Sequence, residues 1–237
     1  MRLVKDGKLI IPLYHGTTEL FIKSIKTNGL GGIDPLEEIE AKQTMKELFE
    51  IAEGQNWTDE NWYRIKASCE PYVLQKQEKG TLNFQHGEAY LTYSPELAAR
   101  YALENPFGCE YLSQIRYFIE FLASRNIDGF KEKFLGKPVL KLWERPHNPH
   151  ILTLNNLSLS SIATETGADM SIQLAHIEHL IKSDCCDASS FKLREPTPER
   201  DIEINKIGIW GPNGTLDIKS GPFKSVTHKV WRQLLGA

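Results

Sequence analysis

His15 and Gly16 close the apolar stretch Leu9-Ile10-Ile11-Pro12-Leu13-Tyr14 and are followed by Thr17 and Thr18. His15 is the only histidine in the first third of the chain. Gly16 has no Cβ and lets another group come close to the backbone. Thr17 or Thr18 can cap a helix that follows. A second group of chemically capable side chains lies in 87–102, where Tyr90 and Tyr101 offer two aromatic faces, with Thr92 and Ala98 between them. Flat ligands stack on such faces in offset geometry. Late in the chain, Glu199 and Glu203 offer carboxylates on either side of the Asp201-Ile202 step. Each has a plainer reading. His15 fits a hydrogen-bonded histidine at a strand end, Tyr90 and Tyr101 fit half-buried packing, and the two glutamates fit a solvated strand edge.

The elements that must hold these residues follow from periodicity. Residues 9–16 read as a buried strand. Residues 18–28 read as a helix with Phe21, Ile22 and Ile25 on one face, stopped by Asn28-Gly29. Residues 89–94 read as a strand, and Ser94-Pro95 opens the next helix with a cap and a first-turn proline. On that helix Leu97 and Tyr101 share a face, flanked by Ala98 and Ala102.

Between these blocks the chain reads as helical. Residues 36–53 are rich in helix formers, and Gly54 ends them. A second helix opens near Trp57 with Thr58 or Asp59 as cap, and Trp62, Ile65, Cys69, Tyr72 and Val73 recur along it. Residues 109–124 form a third helix, with Tyr111, Ile115, Phe118 and Leu122 on one face. Residues 79–87 read as a loop, 137–143 and 151–154 as strands, and 145–150 as the turn between them. Residues 170–182 read as a helix, and 190–194 and 201–210 as late strands joined by Pro196-Thr197-Pro198. A hairpin turn at Gly211-Pro212-Asn213-Gly214 leads into 215–219, and an amphipathic tail covers 226–235. The pattern predicts an α+β fold in one domain, 1–237, with a helical insertion at about 31–86. That insertion either packs on the core or shapes a cleft.

Composition bounds the rest. The chain has 237 residues, 41% hydrophobic and 25% charged, with a net charge of −3. That is ordinary for a globular protein, and it imposes no basic surface of the kind that binds nucleic acid nonspecifically. The four cysteines, Cys69, Cys109, Cys185 and Cys186, form no Cys-x-x-Cys pair and no disulfide framework, which points to a reducing, cytoplasmic setting. The polar N-terminus lacks a signal core, and no segment has the apolar length of a membrane span. His147-Asn148-Pro149-His150 and His176-Ile177-Glu178-His179 lack zinc-site spacing, so no metal is expected. Walker and dinucleotide-binding glycine motifs are absent from the sequence.

The order strand, His15-Gly16-Thr17, then a helix ending in Gly29-Leu30 resembles the first motif of the ADP-ribosyltransferase superfamily of the diphtheria-toxin and poly-ADP-ribose-polymerase type. Gly87-Glu88-Ala89-Tyr90 followed by a helix carrying Tyr101 resembles its second motif, at the spacing of the family's nicotinamide-stacking pair. The resemblance implies a split β-sheet around a central NAD cleft, and NAD-dependent transfer of ADP-ribose to a macromolecular acceptor, protein or nucleic acid. It implies a toxin or defence effector, with an inhibitory antitoxin or other partner protein.

By the same resemblance His15 bonds the adenosine-side ribose, the Gly16 backbone pairs with the nicotinamide amide, and Tyr90 and Tyr101 sandwich the nicotinamide ring. Thr17, Thr92 and Ala98 line the pocket. The third motif, a glutamate on a late strand, has two registers. One places Glu199 at a strand entrance, or Glu203 within the strand, and Glu199 is the preferred acid. The other aligns Ser190-Phe191-Lys192-Leu193 with the glutamate strand and puts Ser190 at the acid's position. Two rival readings remain. One is a catalytically inactive module that binds NAD, ADP-ribose or a partner. The other is an RNA 2′-phosphotransferase-like enzyme, which also consumes NAD but wants an Arg-His pair that this chain lacks before His15.

Overall fold

The computed structural model describes residues 3–74, 87–127, 130–134, 136–145, 147–165, 167–183 and 189–207. Val4–Lys5 (β1) and Lys8–Leu9 (β2) form a small hairpin through Asp6 and Gly7, both at positive φ. Asp-Gly is a favoured pair for such a turn. The strand expected from residue 9 instead starts at 13. Leu13–Thr18 (β3) runs one residue pair past Gly16, and Thr18, not Thr17, caps the helix Glu19–Asn28 (α1) by accepting from the Leu20 N–H at 3.3 Å. Gly29 closes α1 at φ 79°, a conformation a side chain disfavours.

The expected helix at 36–53 is two helices, Pro35–Glu38 (α2) and Ala41–Gly54 (α3), because Glu40 takes a left-handed conformation between them. Glu60–Leu74 (α4) follows, with the Asp59 carboxylate accepting from the Trp62 N–H at 3.2 Å. Then come Tyr90–Thr92 (β4), Pro95–Glu104 (α5), Glu110–Ser124 (α6) and Phe130–Phe134 (α7). Residues 138–143 form a helix, Pro138–Trp143 (α8), not the expected strand. Pro138 sits in its first turn, where its missing N–H costs nothing, and Val139 and Leu142 are buried at i and i+3. The chain continues through Pro149–Leu154 (β5), Ile162–Thr164 (β6), Met170–Lys182 (α9), Ser190–Leu193 (β7) and Ile202–Lys206 (β8). The short β6 was not expected. The loop read at 79–86, Cys185-Cys186, the last residues of the 201–210 strand, the hairpin at 211–219 and the tail lie outside the described residues.

The architecture is α+β. One six-stranded antiparallel sheet has the order β6-β7-β4-β3-β5-β8. Helices α3, α4 and α6 pack on one another. Their junction is aromatic: the Trp62 ring lies 6.4 Å from Phe118 and 6.3 Å from Phe121 in stacked geometry, with Phe49 and Trp57 edge-on or tilted around them. Arg125 covers the Trp57 and Phe121 faces and pairs with Asp59 at 2.6 Å. Residues 31–74 contribute Leu36, Met45, Leu48, Trp62, Ile65 and Cys69 to the buried core. No helix among the described residues is long and apolar enough to cross a membrane.

Candidate functional site

β3 lies at the middle of the sheet, and its two edges differ. Against β5 it pairs along its whole length, from Leu13 opposite Leu154 to Thr18 opposite Pro149. Against β4 it pairs at one position, Tyr14 opposite Thr92. The halves β6-β7-β4 and β3-β5-β8 thus meet at a seam held by a single residue pair. Just past that pair, His15 Nδ1 lies 2.8 Å from the Tyr90 carbonyl oxygen. A carbonyl only accepts, so Nδ1 carries the proton and Nε2 is left as an acceptor. Burial pushes the His15 pKa below its usual value, and the bond to Tyr90 opposes that shift only in part. The ring is therefore neutral at pH 7 and half-buried.

The β6-β7-β4 half has one closed and one open face. Leu91, Phe191, Leu193, Ile162 and Thr164 are buried on one side. The alternating positions Tyr90, Thr92, Ser190, Lys192, Ala163 and Glu165 keep partial exposure on the other. Register orders the open face in rows: Tyr90 opposite Lys192 opposite Ala163, and Thr92 opposite Ser190. Glu165 continues the second row, because Thr164 before it pairs with Phe191. The Tyr90 hydroxyl donates to Glu88 at 3.1 Å, and Glu88 forms an ion pair with Lys192. Thr92 Oγ1 accepts from the Ser94 N–H at 3.2 Å, which turns the chain into α5.

Helix α5 opens as its sequence dictates, with the Ser94 hydroxyl accepting from the Leu97 N–H at 3.2 Å and Pro95 in the first turn. It lies flat on β3. A Cβ on Gly16 would collide with the Ala98 carbonyl and stand 3.1 Å from the Ala102 nitrogen. The group that approaches Gly16 closely is thus the helix backbone, and Ala98 is buried against it. Tyr101 points its hydroxyl toward the backbone N–H of Glu110 at the head of α6, and burial raises its pKa far above the ordinary phenol range. Thr17 is buried opposite His150.

The acids are divided. Glu199 is exposed in the one-turn 3-10 helix Glu199–Asp201, before β8. Glu203 is exposed on β8, opposite Thr153, which is itself opposite Tyr14. The Glu203 charge, with that of Glu96, adds to the burial that holds the Tyr14 phenol protonated. β8 is two strands from β3 on the flank away from β4, so neither glutamate joins His15 and Tyr90 at the seam. The strand beside β4 is β7, and its first residue is Ser190. The Ser190 hydroxyl donates to the Glu165 carboxylate. Sequence reasoning missed Glu165, whose only signal was its place directly after the three-residue strand β6.

Among the described residues, no group of three or more His, Cys, Asp and Glu side chains gathers as a metal site. Burial raises the Cys69 thiol to about 11 and the Cys109 thiol to about 12, so both stay protonated and neither is an activated nucleophile. Comparison with known proteins finds no matching family model, curated protein or solved structure.

Proposed function

We propose that the chain is an NAD-dependent ADP-ribosyltransferase with a split sheet, transferring ADP-ribose to a macromolecular acceptor. The observation that carries this reading is the His15–Tyr90 bond across a seam otherwise held by one residue pair. It joins the two motifs on which the resemblance rests and fixes the His15 tautomer. When bound, NAD supplies a ribosyl carbon whose bond to nicotinamide breaks with positive charge developing on the sugar.

The chain's own residues suit that task. Neutral His15 offers Nε2 as an acceptor for a ribose hydroxyl, at no cost of discharging an imidazolium. Tyr90, half-exposed and held by Glu88, offers an aromatic face at the seam. Tyr101 supplies the opposing face by resemblance, with its hydroxyl anchored at the head of α6. Gly16 and Ala98 set the distance between β3 and the helix that carries Tyr101.

A second reading is favoured by a specific observation. The β7 position beside Thr92 holds Ser190 rather than a carboxylate, and Glu199 and Glu203 lie on the far flank. On that basis the chain binds NAD or ADP-ribose without transferring it. Nicotinamide release from NAD by the purified protein, with and without cell extract, separates the two. Release supports the transferase, and NAD binding with no release under either condition supports the binding module.

A further inference from the structure

We infer that Trp143 and His147 form a small site for an oxyanion, the phosphate or carboxylate group of a small molecule. The site does not depend on the transferase reading above. Trp143 Nε1 and His147 Nδ1 are both buried, and neither has a hydrogen-bond partner among the described residues. Buried polar atoms are nearly always satisfied, so each unpaired one calls for an explanation such as a bound ion. Here two of them share one neighbourhood. They flank the turn from α8 into β5, and both rings rest on Phe107, with centroids 5.7 Å and 5.1 Å from its own. Phe107 is itself buried.

The chemistry selects an oxygen that accepts. An indole N–H only donates, and an imidazole can carry its proton on Nδ1 without becoming charged. Charge favours an anion, because the Arg116 guanidinium lies over the same Phe107 ring, 5.2 Å from its centroid. Arg116 also pairs with Glu120 at 2.8 Å, but this is a surface pair, weak enough for the guanidinium to turn toward a ligand. Glu144 and Arg145, on the turn between the two rings, are exposed and opposite in charge. Trp143 and His147 are each partly exposed, so their nitrogens lie close beneath the surface. The frame is fixed on both sides. The Leu142 carbonyl accepts from the Glu144 and Arg145 N–H groups at the end of α8. The Asn148 carbonyl accepts from the Glu19 N–H at 2.8 Å and from His150 Nδ1 at 2.9 Å, and the Asn148 amide donates to the Glu19 carboxylate. These bonds occupy the backbone of the turn and leave the two ring nitrogens as its donors.

The test uses the isotope-labelled full chain and the NMR signal of the Trp143 indole N–H, assigned with W143F. Inorganic phosphate, acetate and chloride are titrated in parallel at fixed ionic strength. Phosphate or acetate should move that signal saturably, and chloride should not. The tighter of the two binders identifies the group as phosphate or carboxylate. H147A should weaken binding about tenfold or more, because a hydrogen bond to a charged partner is lost. H147N, whose amide can donate in place of Nδ1, should bind more tightly than H147A. Three results would overturn the site: an indole signal that phosphate and acetate leave in place, which makes the partner a bound water only; an equal shift with chloride; or unchanged affinity in folded H147A. The wild-type titration decides by itself if H147A does not fold.

Discussion

The ring of His15 and the backbone of Tyr90 are joined by a hydrogen bond of 2.8 Å, made where the sheet's own ladder between β3 and β4 has stopped. A side chain thus takes the place of a backbone pair between β3 and β4 at this point of the seam. The bond also sorts the two imidazole nitrogens, leaving only Nε2 for a ligand.

Removing the ring should be felt in both stability and binding. His15→Ala leaves the Tyr90 carbonyl without its donor, and a lost partner of this kind costs about 1–3 kcal/mol. Urea unfolding should show that loss, and NAD affinity should fall at the same time. His15→Asn, whose amide can donate to the carbonyl, should regain stability more than affinity.

The same ring makes stability depend on pH. The folded pKa of His15 lies below its usual value of 6.5, so the unfolded chain binds the extra proton more readily. Stability from the neutral ring is therefore fully present above the unfolded value and is lost as pH falls through the folded one. Denaturant titrations between about pH 7 and pH 5 should show this decline in the wild type, and a flatter profile in His15→Asn.

Gly16→Ala should destabilise the fold by about 1–3 kcal/mol, the range for overpacking, because the new methyl meets the Ala98 carbonyl and rigid helix backbone. Thermal unfolding measures it. A substitution tolerated without loss would mean that α5 can lift from β3, against the geometry described above.

Trp62 is buried among Phe49, Trp57, Phe118 and Phe121, so Trp62→Ala should cost about 3–5 kcal/mol. If the insertion works through packing, the folded variant should still bind NAD at low temperature. A variant of normal stability that fails to bind NAD would instead make the insertion a lid.

Much of the frame was legible because its signals are local. Ser94-Pro95 opening α5, Gly29 closing α1 and the apolar stripe of α6 each specify an element without reference to the rest of the chain. α8 was misread because Val139-Leu140-Lys141-Leu142 can alternate as a strand, and only the burial of Val139 with Leu142 decides for the helix. β6 was missed because three residues carry no periodicity, and the sheet, not the sequence, makes them a strand. The site divided in the same way. His15 and Tyr90 stand on elements with strong local signals, and the structure brings them together. Glu199 was chosen by its position before a late strand, yet that strand pairs with β5 on the far flank. Glu165, whose N–H donates to the Ser190 carbonyl, becomes visible only through pairing, since nothing local says that β6 will lie beside β7.

The central claim is that NAD sits at the seam between His15 and Tyr90. Calorimetric titration of NAD into the wild type, Tyr90→Ala and Tyr101→Ala tests it most directly. The wild type should bind, and loss of either stacking face should weaken binding by about one to a few kcal/mol, with the folded state intact by circular dichroism. Equal affinity in all three proteins, or no binding to the wild type, would contradict it.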